Sequence, residues 1–333
     1  MAVGRDGGAP PRTRAGIEAS AGFSDIQERP AKALLPIKIA VASGKGGTGK
    51  TTVATSLALS LAEDAAGRPV TLPPTYVDCD VEGPNAHLFL MPDLKQRRDV
   101  AIQIPRVDAA KCTACGMCAE VCQYHAIVVL GKKTLVFDQL CHGCGSCTLV
   151  CPEGAITEEP HAIGVLEAGP AVRGIQFARG VLDVGEPMAT PAIRQLKQWA
   201  VSADGPLGSV VILDAPPGTS CPVVEAVRGA DYLLLVTEPT PFGLHDLRLA
   251  AGVAAELGIP AGVVINRDRI GDVGVDAFCA SVGLPVLLRI PFERAIAEGI
   301  AQGRTLIEIR PEYAPRLRAL YEKIRALVLK GGP

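Results

Sequence analysis

The sequence predicts an α/β fold, a mostly parallel sheet with helices on both faces, interrupted by a small α+β insertion. Three observations predict it. Short apolar, β-branched runs alternate with helix-like stretches from Ile37 onward. A glycine-rich loop joins the first run to the first helix. Eight of the eleven cysteines sit in one interval that breaks the alternation. Strand–helix alternation implies parallel strands covered on both sides.

The strand-like runs are 37–42, 75–78, 210–214, 232–237, 262–265 and 285–290. Helices are expected over 51–63, 244–257 and 292–302. A last helix, about 315–329, puts Leu317, Leu320, Ile324 and Leu327 on one face and is expected to pack on the sheet. Residues 1–35 are rich in Ala, Gly, Arg and Pro without an apolar period, and read as a disordered extension. The α/β domain is then expected over 36–103 and 158–333, with an insertion at 104–157.

Composition narrows the function classes. Of 333 residues, 33 are Lys or Arg and 35 are Asp or Glu, a net charge of −2. That balance, with 4% aromatics, gives no basis for a nucleic-acid-coating surface. No apolar run reaches membrane-spanning length, so no stable membrane insertion is expected. No apolar leader precedes residue 36, so the expected location is cytoplasmic. There, clustered cysteines serve as metal ligands or redox groups more often than as disulfides.

Gly44 to Thr51 satisfy the pattern G-x-x-x-x-G-K-[ST] between a strand and a helix. Gly44, Gly46, Gly47, Thr48 and Gly49 let the backbone wrap a polyphosphate and aim N–H groups at it. The following helix, with Thr52 in its first turn, puts its positive dipole end there. Lys50 would reach the β and γ phosphates, and Thr51 would hold Mg²⁺. The apolar run 210–213 ends in Asp214, which places a carboxylate beside that Mg²⁺ at the carboxyl edge of the sheet. Gly218, just beyond, can lend a backbone N–H to the γ-phosphate.

Lys45, a second lysine after the first loop glycine, resembles the deviant phosphate loop of MinD-type, ParA-type, Mrp-type and nitrogenase-iron-protein ATPases. The resemblance covers about Ile37 to the C-terminus. It implies that Lys45 acts across a homodimer on the partner's nucleotide. It also implies that Asp80 positions the attacking water and that Asp78 sits near Mg²⁺. Asn266 is similar to the family's base-contacting asparagine. Arg269 stands where a guanine-selective site would carry Asp, which favours ATP over GTP.

Cys112, Cys115, Cys118 and Cys122 follow C-x₂-C-x₂-C-x₃-C, as do Cys141, Cys144, Cys147 and Cys151. The two runs are an internal repeat. Their spacing resembles that of bacterial two-cluster ferredoxins, where the fourth cysteine of each run ligates the other cluster. One [4Fe–4S] cluster would take Cys112, Cys115, Cys118 and Cys151. The other would take Cys141, Cys144, Cys147 and Cys122. Gln123 departs from the proline usual after the fourth cysteine and removes no ligand. Two four-cysteine zinc sites are the rival reading. His125, His142 and His161 read as surface or loop histidines, and Cys79 and Cys279 as core. Cys221 shares its offset from Asp214 with a cluster ligand of the nitrogenase iron protein, but no partner cysteine lies between 157 and 211, so it reads as a packed or switch-loop cysteine.

The combination resembles MinD-superfamily ATPases with an inserted ferredoxin domain. It implies a slow, dimer-dependent ATPase using ATP and Mg²⁺ and carrying two [4Fe–4S] clusters. The main expectation is nucleotide-gated electron transfer to a partner metalloprotein. The alternatives are assembly or carriage of clusters to an apo-metalloprotein, and a ParA-like positioning switch.

Overall fold

The first apolar run folds as β1 (Ile37–Ala42), and the chain continues through α1 (Lys50–Leu61), β2 (Thr75–Asp78), α2 (His87–Leu90) and β3 (Gln96–Val107). Next come α3 (Met117–Val121), β4 (Ile127–Leu130), β5 (Lys133–Val136) and α4 (Ser146–Val150), and β6 (Ile156–Pro170) brings the chain back. β7 (Gln176–Leu182), α5 (Ala189–Ala200), β8 (Val210–Asp214), α6 (Cys221–Val227), β9 (Tyr232–Thr237) and α7 (Pro241–Glu256) follow. The last elements are β10 (Ala261–Asp268), α8 (Gly274–Ser281), β11 (Val286–Pro291), α9 (Arg294–Ala301), α10 (Leu306–Ile309) and α11 (Tyr313–Leu329). This computed structural model describes residues 36–64, 66–201, 208–271 and 274–330. The extension expected at 1–35 lies outside them.

One sheet runs in the order β11-β10-β9-β1-β8-β2-β7-β6-β3. Every pairing from β11 to β7 is parallel. β6 and β3 extend it with antiparallel pairings. β1, β2, β8 and β9 occupy the bounds expected from sequence because both of their faces are buried. Ile39 and Val41 pack towards α1 and α11, whereas Ala40 and Ala42 pack with α5, α6 and α7 residues.

α7 starts three residues before its apolar period. Thr240 caps it by accepting from the Gly243 N–H at 3.0 Å, and Pro241 occupies a first-turn position whose N–H needs no partner. The terminal helix α11 buries Tyr313, Leu317, Leu320, Ile324 and Val328 against α1 and the sheet. Leu327, expected on that face, is exposed, and Val328 takes its place. Among the described residues no helix is long and apolar enough to cross a membrane.

β3 and β6 form a long ladder from Gln96 opposite Ala168 to Val107 opposite Ile156. The cysteine-bearing segment is what joins them. Both strands run through the expected boundaries at 104 and 157. They escape the apolar-run criterion because β3 opens with Gln96, Arg97, Arg98 and Asp99, all exposed.

Lys197 on α5 closes a helix end. Its Nζ donates to the carbonyls of Glu225, Ala226 and Arg228 at 2.5, 2.9 and 2.7 Å, where α6 runs out of partners. Lys197→Ala is expected to destabilise the fold by about 2 kcal/mol, since three carbonyls lose a charged donor. A lowered urea midpoint, with nucleotide affinity unchanged, would check this.

Candidate nucleotide site and cysteine hollows

β1 ends inside the sheet, so its loop emerges at the carboxyl edge, where neighbouring strands also deliver their last residues. Gly47 and Gly49 hold φ of 76° and 92°, in the left-handed region that glycine tolerates. A Cβ on Gly44 would lie 2.2 Å from the Asp246 carbonyl oxygen, and one on Gly49 would lie 2.4 Å from Asn266 Nδ2. The loop is therefore clamped between α7 and the end of β10.

A cleft of about 470 Å³ opens over the loop. It is lined by Gly46, Gly47, Gly49, Lys50, Thr51, Thr52, Asp80 and Asn266, with Arg267, Phe292 and Ile296 farther along. The structure thus brings together most of the residues singled out from sequence. Asp78 and Asp214 lie beneath, both buried.

Asp214 Oδ2 accepts from the Tyr76 hydroxyl at 2.8 Å. Its Oδ1 is buried without a hydrogen-bond partner among the described residues. Burial pushes this carboxyl up, and the Thr51 and Tyr76 hydroxyls and Lys50 draw it partly back. Asp78 is also raised, by burial and then by the Asp214 charge. Its oxygens accept from the backbone N–H groups of Asp80 (3.2 Å), Asn85 and Ala86 (both 3.1 Å). Asp78 therefore shapes the loop that presents Asp80. Burial raises Asp80 in turn, against the opposing pull of Lys50.

Three residues are arranged otherwise than the sequence suggests. The Gly218 N–H donates to the Ser43 carbonyl at 3.1 Å, so in this conformation it ties the loop after β8 to the start of the phosphate loop. Lys45 turns away from the cleft, and its Nζ lies 2.5 Å from Glu238 Oε1. Asn266 Nδ2 donates to the Thr48 carbonyl at 2.7 Å, and its Oδ1 accepts from the Arg267 N–H at 2.9 Å. Asn266 here tethers the phosphate loop. Asn266→Ala is accordingly expected to weaken ATP and GTP binding alike, by about tenfold for one lost, partly buried hydrogen bond. Equilibrium titration with both nucleotides checks this, because a purely base-reading side chain would weaken only one.

Glu238, Arg267 and Tyr76 escaped the sequence reading. Glu238 carried one usable signal, a carboxylate placed directly after a strand that is apolar but for its last residue, Thr237. Tyr76 carried none, since an apolar strand accepts tyrosine as core.

The eight clustered cysteines line two hollows. Cys112, Cys115, Cys118 and Cys151 surround one, with Val107, Thr134, Glu153 and Ile156. Cys122, Cys141, Cys144 and Cys147 surround the other, with Pro105, Tyr124 and His142. Each hollow takes three thiols from one run and the fourth from the other run. The backbone repeats as the sequence does. Ala114 and Gly143, Gly116 and Gly145, and His125 and Gly154 all have positive φ at equivalent places. Ala114 and His125 pay for that conformation with about 1 kcal/mol each. Backbone N–H groups of Ala126 and Ala155 donate to Cys122 and Cys151 Sγ, each at 3.3 Å. His142 is an exposed loop residue, as expected, and its ring stacks on that of Tyr124 at 3.4 Å beside the second hollow. Cys79 and Cys279 are core residues, and Cys221 is exposed at the start of α6.

Known proteins resemble this one in family and fold. An uncharacterized protein of Methanocaldococcus jannaschii is 30% identical over 271 residues, 81% of this chain and 91% of that protein. A protein named iron-sulfur cluster carrier protein, from Pyrococcus horikoshii, is 26% identical, covering 88% of this chain and 86% of its own length. Among solved structures, the septum site-determining protein MinD of Pyrococcus horikoshii, complexed with Mg-ADP, is similar in fold. Its TM-score is 0.52 at 19% identity, over 87% of this chain and 96% of that one. A family model described as the CobQ/CobB/MinD/ParA nucleotide binding domain matches residues 39–307. With the phosphate loop, its clamped glycines and the buried aspartates all within that span, the chain belongs to the CobQ/CobB/MinD/ParA nucleotide-binding domain family.

Proposed function

We propose that this protein is an ATP-hydrolysing iron–sulfur carrier, holding two [4Fe–4S] clusters in a ferredoxin-like module at 104–157 and passing a cluster to an apo-protein. The observation that carries it is the grouping of eight thiols into two sets of four, in the segment joining the two strands that extend the phosphate-loop sheet. The name of the Pyrococcus horikoshii relative favours carriage over electron transfer as the principal role.

The residues fit both groups. Four thiols around a shared hollow, with N–H donors on Cys122 and Cys151 Sγ, suit a cubane, whose iron prefers thiolate and whose sulfurs accept hydrogen bonds. Among the described residues no three His, Cys, Asp or Glu side chains gather closely enough for a single ion. The partnerless Oδ1 of Asp214, with the Thr51 hydroxyl nearby, fits Mg²⁺, which when bound neutralises charge developing on the phosphates. In hydrolysis the loop N–H groups and Lys50 bind and orient the polyphosphate. Asp80 holds the attacking water. The Gly218 N–H leaves Ser43 to reach the γ-phosphate. Action as a homodimer, with Lys45 serving the partner's nucleotide, belongs to the same reading.

ATP-gated electron delivery is the second reading. It is favoured by the absence of any C-x-x-C pair after Cys151 that could hold a labile bridging cluster. One anaerobic experiment separates the two. The purified protein is assayed for iron and sulfide, then mixed with an apo-protein that becomes active on receiving a [4Fe–4S] cluster, with and without Mg-ATP. Nucleotide-dependent activation of the acceptor is the expected result. Full retention of iron, with reduction potentials that move on adding Mg-ATP, would replace carriage by electron transfer. Little iron and bound zinc would overturn both.

A further inference from the structure

Beside the phosphate loop, with Arg267 reaching the cleft, lies an ion cluster whose carboxylate the roles above leave unused. Glu238 follows β9 and is buried. Its Oε1 lies 2.5 Å from Lys45 Nζ, and its Oε2 accepts from Arg267 Nη1 at 2.8 Å. Thr240 Oγ1 adds a longer contact at 3.4 Å. One carboxylate thus bridges two cations that flank the phosphate loop.

The two sides of this cluster differ in freedom. A Cβ on Gly243 would lie 2.2 Å from the Glu238 carbonyl oxygen, and one on Gly271 would lie 1.3 Å from that of Pro239. The loop carrying Glu238 is therefore hemmed in by backbone and cannot shift cheaply. Lys45 sits between two glycines on a four-carbon stem, and about a third of its side chain is exposed. When the cluster opens, the lysine moves and the glutamate stays. Burial would raise the Glu238 carboxyl, but Lys45 and Arg267 outweigh it and hold the group below the usual carboxylate range, so it is ionised at neutral pH.

A polyphosphate in this cleft must compete with the carboxylate for Arg267, which lines it, and across a homodimer the partner's polyphosphate must compete with it for Lys45. We propose that Glu238 is a positioning residue that holds Lys45 and Arg267 as an internal stand-in for phosphate, so that occupation by a nucleoside triphosphate, with its larger charge, is what releases Lys45. The inference rests on the cleft being a nucleotide site. It explains why the phosphate-loop lysine faces away from the loop's own cradle. It also makes the cleft discriminate by phosphate charge independently of the base.

The test is the affinity of Glu238→Gln for ATP, ADP and AMP in Mg²⁺ buffer, measured by equilibrium titration. ATP affinity is expected to rise about tenfold, the scale of one charge-assisted hydrogen bond no longer exchanged. The gain should shrink for ADP, vanish for AMP and disappear in a Lys45→Ala background. Glu238→Asp keeps a carboxylate beside Arg267 but withdraws it from Lys45. It should show part of the gain, and it serves if the glutamine variant does not fold. ATP affinity unchanged or weaker in a folded variant, an equal gain for AMP, or a gain that survives without Lys45 would each overturn the proposal. A wild-type protein that binds no ATP would overturn the nucleotide reading and this proposal with it.

Discussion

Lys50→Ala is expected to abolish measurable ATP hydrolysis, with a loss of about 10²–10³-fold or more, while the fold survives. Lys50 is buried at the start of α1 and lines the cleft beside Asp80. In the proposed reading it meets the β and γ phosphates, and a charge-assisted hydrogen bond in such a site contributes about 1.5–3 kcal/mol. The substitution also acts through the carboxylates. Lys50 draws both Asp80 and Asp214 down against the burial that raises them. Without it, protonation of these carboxyls is favoured, and a protonated Asp214 loses the charge that would hold Mg²⁺. Phosphate release measures the loss. A thermal melt within a few degrees of wild type shows that the defect is local, since α1 keeps its apolar anchors Val53, Leu57 and Leu59.

Cys151→Ser is expected to cost one cluster and spare the other, although Cys151 belongs to the second run. Iron should fall from about eight to about four per chain, as one four-iron cubane is lost. The grouping makes a sharper expectation through double variants. Cys112→Ser with Cys151→Ser strikes a single hollow and should lose no more iron than either change alone. Cys112→Ser with Cys122→Ser strikes both hollows and should lose nearly all of it. Iron and sulfide assays under anaerobic conditions, with EPR of the reduced protein, distinguish the patterns. Two zinc sites built from consecutive cysteines would give the opposite result, because Cys112 and Cys122 would then share one site.

The carboxylate bridging Lys45 and Arg267 joins these expectations to the choice between carriage and electron delivery. Both functions need nucleotide state to be felt beyond the cleft. The Asp80 loop is one route. The Val81 carbonyl, one residue on, accepts from the Leu182 N–H of β7, and β7 pairs with β6 on the way to the cysteines. That continuity is physical contact between the loop and the strand that leaves the cysteine-bearing segment, and it gives the acceptor assay with and without Mg-ATP its meaning.

The sequence by itself determined the central strands, the phosphate loop and the division of the cysteines. Central parallel strands such as β1 and β8 are apolar on both faces, so composition alone marks their bounds. The loop is legible because glycine, lysine and threonine at fixed spacing have few other uses between a strand and a helix. The crossed sets of thiols are what the resemblance to two-cluster ferredoxins implies, and the two hollows group the same thiols. Only the tertiary structure decided the rest. β3, β6 and β7 form the edge and antiparallel part of the sheet, where exposed polar residues alternate with core and blur the pattern. The side chains that organise the cleft act across long sequence separations, as Tyr76 does on Asp214, Asn266 on Thr48 and Glu238 on Lys45. A hydrogen bond or ion pair depends on where folding brings two groups in space, and neither partner's local sequence carries a trace of the other.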